Sequence, residues 1–158
     1  MASDATIEKL ISGGQTGVDR GALDAALYLG VSCGGWCPKG RRAEDGPIPE
    51  DYPLKETETA RYPERTERNI VESDATLVLC AGPLTGGTRL TVELAGKQGR
   101  PCLVIDPTND EALERCSDWV AENTIQVLNV AGPRESSAPG IQRQAQAFIE
   151  KLLARSAR

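Results

Sequence analysis

Residues 7–30 read IEKLISGGQTGVDRGALDAALYLG, and the way this stretch divides decides the fold. Ile7 to Ile11 is a short apolar-rich run that passes directly into Ser12-Gly13-Gly14. Val18, Ala22, Ala25, Ala26 and Leu29 then recur at helical spacing, predicting a helix over 18–29. Gly30 stops that helix where glycine commonly takes the left-handed conformation. A strand, a glycine turn and a helix in this order begin a βαβ unit.

The same grammar repeats along the chain. Val31 to Gly35 reads as a second strand, and Arg61 to Ser73 as a polar helix with Pro63 in its first turn. Thr76 to Ala81 is a β-rich run ending in Gly82-Pro83, and Gly87 to Gln98 is helical up to Gly99. Cys102 to Ile105 is a strand. Thr108 and Glu111 form the pattern of a capping box, opening a helix to about Glu122 with Leu113, Cys116 and Val120 on its buried face. Ile125 to Val130 is a strand, and Ile141, Ala145, Phe148, Ile149 and Leu152 mark a last amphipathic helix. Strand followed by helix, five times over, predicts an α/β fold: a Rossmann-like three-layer arrangement with a mainly parallel sheet and helices on both faces. The chain, 1–158, reads as one ligand-binding domain. Residues 38–63, rich in Pro, Gly and charge, interrupt the alternation as a long loop expected to lie over the site. The echo between Ala81-Gly82-Pro83 and Ala131-Gly132-Pro133 is explained by turn chemistry.

Bulk properties narrow the functional classes. Hydrophobic residues make up 39% and charged residues 26% of 158, which excludes disorder. No apolar run approaches the roughly 18 residues of a membrane span. Met1-Ala2-Ser3-Asp4 is not the start of a secretory signal, so a cytoplasmic protein is expected. The net charge of −5 disfavours nucleic acid, although a local basic patch can hold one small anion. Five cysteines, an odd number spread through apolar segments, do not form a secreted disulfide framework; Cys80 and Cys102 are expected as buried core thiols. Histidine is absent, which excludes His-dependent nucleophilic catalysis and imidazole zinc sites. Cys33 and Cys37 have no second pair, so no metal site is expected.

Three motifs carry chemistry. Gly13, Gly14, Gln15, Thr16 and Gly17, with Asp19 and Arg20, join the first strand to the first helix. Glycines there let the backbone approach a ligand, and a helix N-terminus offers unpaired N–H groups to an anion. A tight turn alone would also use those glycines, and Asp19 could equally cap the helix. Gly86, Gly87 and Thr88 repeat the arrangement after the third strand, and two such loops suit a crevice at a topological switch point. Residues 34–42 place Lys39, Arg41 and Arg42 beside two glycines, with Trp36 able to stack on a flat ring or to plug the core. The expected geometry brings both glycine loops to one pocket, the amides of residues 14–17 and 86–88 pointing into it under Lys39 and Arg41.

The segments ISGGQTGVDRGALDAAL (11–27), GGWCPKGRRAEDGPIP (34–49) and RTERNIVESDATLVLCAGPLTGGT (65–88) resemble the molybdenum carrier family, which looks like a circularly permuted relative of the lysine-decarboxylase-like, nucleotide-binding Rossmann proteins. The resemblance covers roughly residues 6–106. It implies a phosphate-bearing ligand, for characterised relatives the molybdenum cofactor (molybdopterin), held and passed to molybdoenzyme recipients by a homo-oligomer, a dimer or tetramer. The glycine loops, Lys39 and Arg41 would hold the phosphate or oxo-metal end, and Trp36 the pterin. The same superfamily contains phosphoribohydrolases, which implies the alternatives of a nucleotide or nucleoside-monophosphate hydrolase, or a nucleotide sensor. Ser12 to Gly17 matches their first loop and Gly86-Gly87-Thr88 part of their second, while Arg68 stands where their conserved-motif arginine is expected. Their catalytic glutamate falls on Thr91, so the resemblance favours binding over catalysis and assigns no catalytic residue.

Overall fold

A computed structural model describes residues 6–156; Met1 to Asp4, read above for a leader, lie outside the described residues. The elements are β1 (Lys9–Ile11), α1 (Val18–Leu29), β2 (Ser32–Gly34), β3 (Trp36–Cys37), β4 (Lys55–Glu56), α2 (Tyr62–Val71), β5 (Ala75–Leu79), α3 (Gly86–Lys97), β6 (Cys102–Ile105), α4 (Ala112–Glu122), β7 (Val127–Ala131) and α5 (Ile141–Ser156). Five strands form one sheet in the order β2-β1-β7-β5-β6, every neighbouring pair parallel. The expected Rossmann-like α/β fold is the observed one.

Alternation along the central strands sorts the two faces. Leu10, Leu77, Leu79, Leu128 and Val130 belong to one apolar cluster with residues of α1, α4 and α5. Thr76, Val78 and Asn129 point the other way, toward the layer where α2 packs on α3. Asn129 Nδ2 donates to Thr76 Oγ1 at 3.2 Å, so even the buried polar pair on this second face is satisfied. From β1 the chain turns outward to β2; from β5 it turns outward to β6 on the other side; β7 returns between them. The crevice this reversal leaves at the carboxyl ends of β1, β7 and β5 is where open α/β sheets bind ligands.

Local chemistry set most boundaries as read. Gly30 takes φ 72° and ends α1 by donating its N–H to Leu27 O. The capping box at Thr108 does not form. Asp106 Oδ1 accepts both the N–H (2.8 Å) and the hydroxyl (2.7 Å) of Thr108, a competing turn, and α4 starts only at Ala112 without a side-chain cap. Gly96, inside α3, is exposed and an added Cβ there would meet nothing within 4 Å. Gly96→Ala should therefore stabilise the chain by about 0.5–1 kcal/mol, read as a rise of roughly 1–4 °C in the melting temperature.

The long loop is more ordered than its composition implies. Asn69 of α2 receives Trp36 N–H (2.7 Å) and donates to Trp36 O (3.0 Å), holding β3 beside β4 in a two-stranded parallel pair. Cys37, Ala43 and Ile48 make a small core of their own, with Tyr52 and Leu54 packed against it. Cys80 is buried as expected; Cys102 is only half-buried because β6 is an edge strand. All five thiols are free, and Cys37 and Cys116 are fully buried. Burial pushes the Cys116 thiol up to about 12. Titration of the native protein with a bulky thiol reagent should label Cys33 and Cys102 first. No helix among the described residues is long and apolar enough to cross a membrane.

Candidate functional site: a pocket between two helix layers and three strand ends

A pocket of about 600 Å³ opens where β1, β5 and β7 end, walled by α2 on one side and the start of α3 on the other. That volume suits a small organic ligand. Gly13, Gln15 and Asp19 contribute from the first glycine loop and α1; Gly86, Gly87 and Thr88 contribute from the second. The two glycine loops do meet in one cavity. Gly14, Thr16, Gly17, Arg20, Trp36, Lys39 and Arg41 do not line it.

The reasons differ from residue to residue. Gly14 has φ 82°, and an added Cβ would strike Leu54 Cδ1 at 2.5 Å and Ile48 Cδ1 at 2.9 Å, so its open side faces the core of the long loop. Thr16 donates its hydroxyl to Glu44. Arg20 is buried: its Nε binds Gly14 O (2.9 Å) and its two terminal nitrogens grip Asp45 (2.6 and 2.8 Å), pinning the long loop to α1. Arg41 gathers the carbonyls of Ile48, Pro49, Tyr52 and Leu54, folding its own loop. Trp36 lies under the Arg68 guanidinium (4.0 Å) and donates its indole N–H to Glu72 (2.9 Å). Lys39 is exposed, its backbone N–H donating to Thr59 O. The amides of the first loop are also spent internally: Gln15 N–H on Asp19, Thr16 N–H on the Gln15 side chain, Gly17 N–H on Gln142 and Val18 N–H on Pro133 O.

What the pocket does hold is a pair of donors with nothing to bind. Gln15 is 6% exposed and Arg65 9% exposed; both line the cavity, and Gln15 Nε2 and Arg65 Nε have no hydrogen-bond partner. Unsatisfied buried donors are rare and point to a missing partner. Arg65 Nη1 meanwhile donates to Gly13 O (2.9 Å) and lies 3.6 Å from Asp19 Oδ2. Burial pushes the Asp19 carboxyl above the ordinary carboxylate range, and Arg65 and the Gln15 N–H pull it only part of the way back. The helix end of α3 adds more: Thr85 precedes it in an extended conformation without capping it through its side chain, so the first-turn amides of Gly86 and Gly87 are open to the cavity. Thr91, where the phosphoribohydrolase motif carries its acid, donates its hydroxyl to Gly87 O (2.9 Å) within α3. Glu93 pairs with Arg89 on the exposed side of the same helix (3.2 Å).

Two parts of the site escaped the sequence. Arg65, not Arg68, is the arginine that α2 brings to the pocket wall, three residues earlier than the motif resemblance placed it. The loop after β7, from Gly132 to Ser137, forms the third wall. An added Cβ on Gly132 would lie 2.5 Å from Leu79 O, so only glycine lets β7 leave the sheet this close to β5. The echo of Ala-Gly-Pro at residues 81–83 and 131–133 was the available signal, since both follow strands that border the same crevice. Glu44 ties this wall to the long loop: it accepts from Thr16 and from the N–H (3.2 Å) and hydroxyl of Ser136, bonds that hold its carboxyl below the ordinary range.

Among the described residues no group of three or more His, Cys, Asp or Glu could coordinate a metal ion. The arrangement is therefore one of hydrogen-bond donors and positive charge, suited to gripping an anion.

Comparison with known proteins gives this geometry a lineage. The chain is similar to the crystal structure of a protein from Syntrophus aciditrophicus named, provisionally, a molybdenum carrier protein. The two are 43% identical, the match covers 94% of this chain and 96% of that one, and the TM-score is 0.87. Comparison with curated proteins finds no match. Residues 10–153 match the model of the circularly permutated YpsA SLOG family, whose span takes in both glycine loops, Arg65 and the wall after β7, and the chain belongs to that family.

Proposed function

We propose that the chain is a binding protein for a small phosphate-bearing ligand, and that this ligand is the molybdenum cofactor, carried as cargo rather than used in catalysis. The observation that carries the reading is the pair of buried, unpartnered donors, Gln15 Nε2 and Arg65 Nε, on two residues that line the same cavity as the uncapped end of α3. A phosphate offers several acceptor oxygens to such a site, each charge-assisted bond being worth ~1.5–3 kcal/mol. The cofactor is preferred over other phosphates because a relative sharing 43% of its residues over nearly all of the chain bears the carrier name. The cargo's metal end would be accommodated without side-chain coordination, since the cavity lining holds no Cys. In this reading the chain acts as one ligand-binding domain and hands its cargo to molybdoenzymes. A homo-oligomer is part of the proposal; exposed Leu27, Tyr28 and Leu29 at the end of α1 offer an apolar strip beside the edge strand β2.

One observation favours the other reading, a nucleotide hydrolase. Asp19 is a buried carboxyl in the cavity wall, raised toward a pKa useful to a general acid. It is nonetheless tied to Gln15 N–H and Arg65, and the motif position of the hydrolases' glutamate is Thr91. Calorimetric titration with molybdopterin-type ligands and with nucleoside monophosphates separates the two. The proposal expects tight binding of the former and no turnover of the latter; release of base or phosphate from a nucleotide, lost in Asp19→Asn, would reverse the choice.

A further inference from the structure

We propose that the cavity holds anions at two places. Besides the α3 end, the guanidiniums of Arg42 and Arg134, gathered on the ring of Tyr62, form a second anion subsite at the rim. The inference rests on the binding-protein reading and deepens it, because it assigns the ligand charge at two points.

Three arginines surround Tyr62. Their guanidinium carbons lie 4.5 Å (Arg42), 5.3 Å (Arg65) and 5.6 Å (Arg134) from its ring centre. They come from three distant segments, the long loop, α2 and the loop after β7, so the fold rather than local sequence assembles them. Three like charges this close repel unless something negative joins them. In a chain of net charge −5, carboxylates are not scarce, yet few are supplied here. Asp19 sits 3.6 Å from Arg65 and makes no ion pair with Arg42 or Arg134 among the described residues. Glu44 reaches only to 3.9 Å from Arg134 while accepting from Thr16 and Ser136. Arg42 makes no ion pair among the described residues and donates to Ala60 O (2.8 Å).

Tyr62 is accordingly an organiser of charge rather than a platform for a ligand ring, because guanidiniums already lie over it. Arg65 belongs to both the Tyr62 cluster and the cavity wall: Nη1 is fixed on Gly13 O, while Nε is buried and unpartnered. A ligand with one phosphate and no second charge would leave Arg42 and Arg134 as they are. A ligand anionic at both ends would neutralise the rim and the helix end together. Of the three cations of the basic loop, none lines the cavity itself, and Arg42 is the one that lies on the ring of a lining residue, Tyr62.

Selenate is a suitable probe, being a tetrahedral dianion that anomalous diffraction locates. Crystals of the full chain soaked in selenate should show two selenium peaks, one in the cavity at the amides of Gly86 and Gly87 and one at its rim on the guanidiniums of Arg42 and Arg134. Arg134→Gln and, separately, Arg42→Gln should lose the rim peak and keep the other, while Gly87→Leu should lose the helix-end peak and keep the rim. A peak at the helix end alone in the parent protein overturns the second subsite and leaves the binding-protein reading standing. Peaks at neither place overturn both, and a rim peak that survives in both arginine variants overturns the assignment to these residues.

Discussion

Arg65→Met is expected to weaken binding of a phosphate-bearing ligand by roughly 10- to 100-fold and, in the same protein, to lower stability at neutral pH by about 3–5 kcal/mol. The binding loss follows from one or two charge-assisted hydrogen bonds, with 1.4 kcal/mol per tenfold. The stability loss follows from stranding Asp19, whose carboxyl is 6% exposed and has Arg65 as its strongest stabilising charge. Its pH dependence has a definite sign. Burial already raises the folded-state pKa of Asp19 above its ordinary value, so the ionised group opposes folding, and the stability available to the neutral form is lost as pH rises through the folded pKa. Without Arg65 that pKa rises further. The gap between Arg65→Met and the parent should therefore be widest near pH 7 and shrink as pH falls toward 4. Asp19→Asn placed on top of Arg65→Met should recover much of the neutral-pH loss without restoring binding. Denaturant titrations across pH, with calorimetry on each variant, read both effects; a gap that widens on acidification would contradict the assigned pairing.

Gly17→Ala is expected to be the most disruptive of the single-methyl additions in the glycine loops. Gly17 has φ 84° and ψ −132°, a region an L side chain occupies only with about 1–3 kcal/mol of strain. The added carbon would also collide with backbone on the facing loop: Pro133 O, Glu135 N at 2.7 Å and Arg134 C at 2.8 Å. No rotamer relieves a backbone contact, so the wall after β7 must move, taking Arg134 and Ser136 away from the rim and breaking the Val18 N–H to Pro133 O bond. The expected total is more than about 3 kcal/mol, in the range that signals strain at a special backbone position. Ligand binding should fall with it. Gly87→Ala is the control: nothing lies within 4 Å of its added carbon and it sits in the first turn of α3, so the fold should keep or slightly raise its melting temperature. Equal destabilisation by the two alanines would show that the close approach of the two loops is not what requires Gly17.

The contrast between those glycines shows how far the sequence could be read. Strand-helix alternation is a local signal, so β1, α1, β5, α3 and the parallel sheet were all legible, and Gly30 marked its helix end correctly. That Gly13 and Gly86 belong to one cavity was also legible, because glycine at the carboxyl end of a parallel strand has a positional meaning that does not depend on the rest of the chain. What was not legible is which cation serves the ligand and which serves the fold. Lys39, Arg41 and Arg42 look alike on paper. Arg41 is consumed by four loop carbonyls that only the folded loop presents. Arg42 reaches the rim because Tyr62, twenty residues on, offers a ring. Arg65 and Arg68 differ by less than one helical turn, and the side of α2 that faces the sheet is set by Asn69 clamping Trp36, a contact no spacing reveals. Amide donors of the first loop were overcounted for the same reason: Gln142 and Pro133, which consume two of them, arrive from more than a hundred residues away.

The donor geometry makes a single claim about what the protein holds. Small molecules released from natively expressed protein, identified by mass spectrometry beside metal analysis, test it most directly. The expected result is a phosphate-bearing pterin with molybdenum in the parent protein, and its loss in Gly87→Leu, whose side chain would enter the helix-end subsite while the fold is retained. A parent protein that carries nothing bearing phosphate, or a Gly87→Leu variant that retains the same ligand undiminished, would contradict the account.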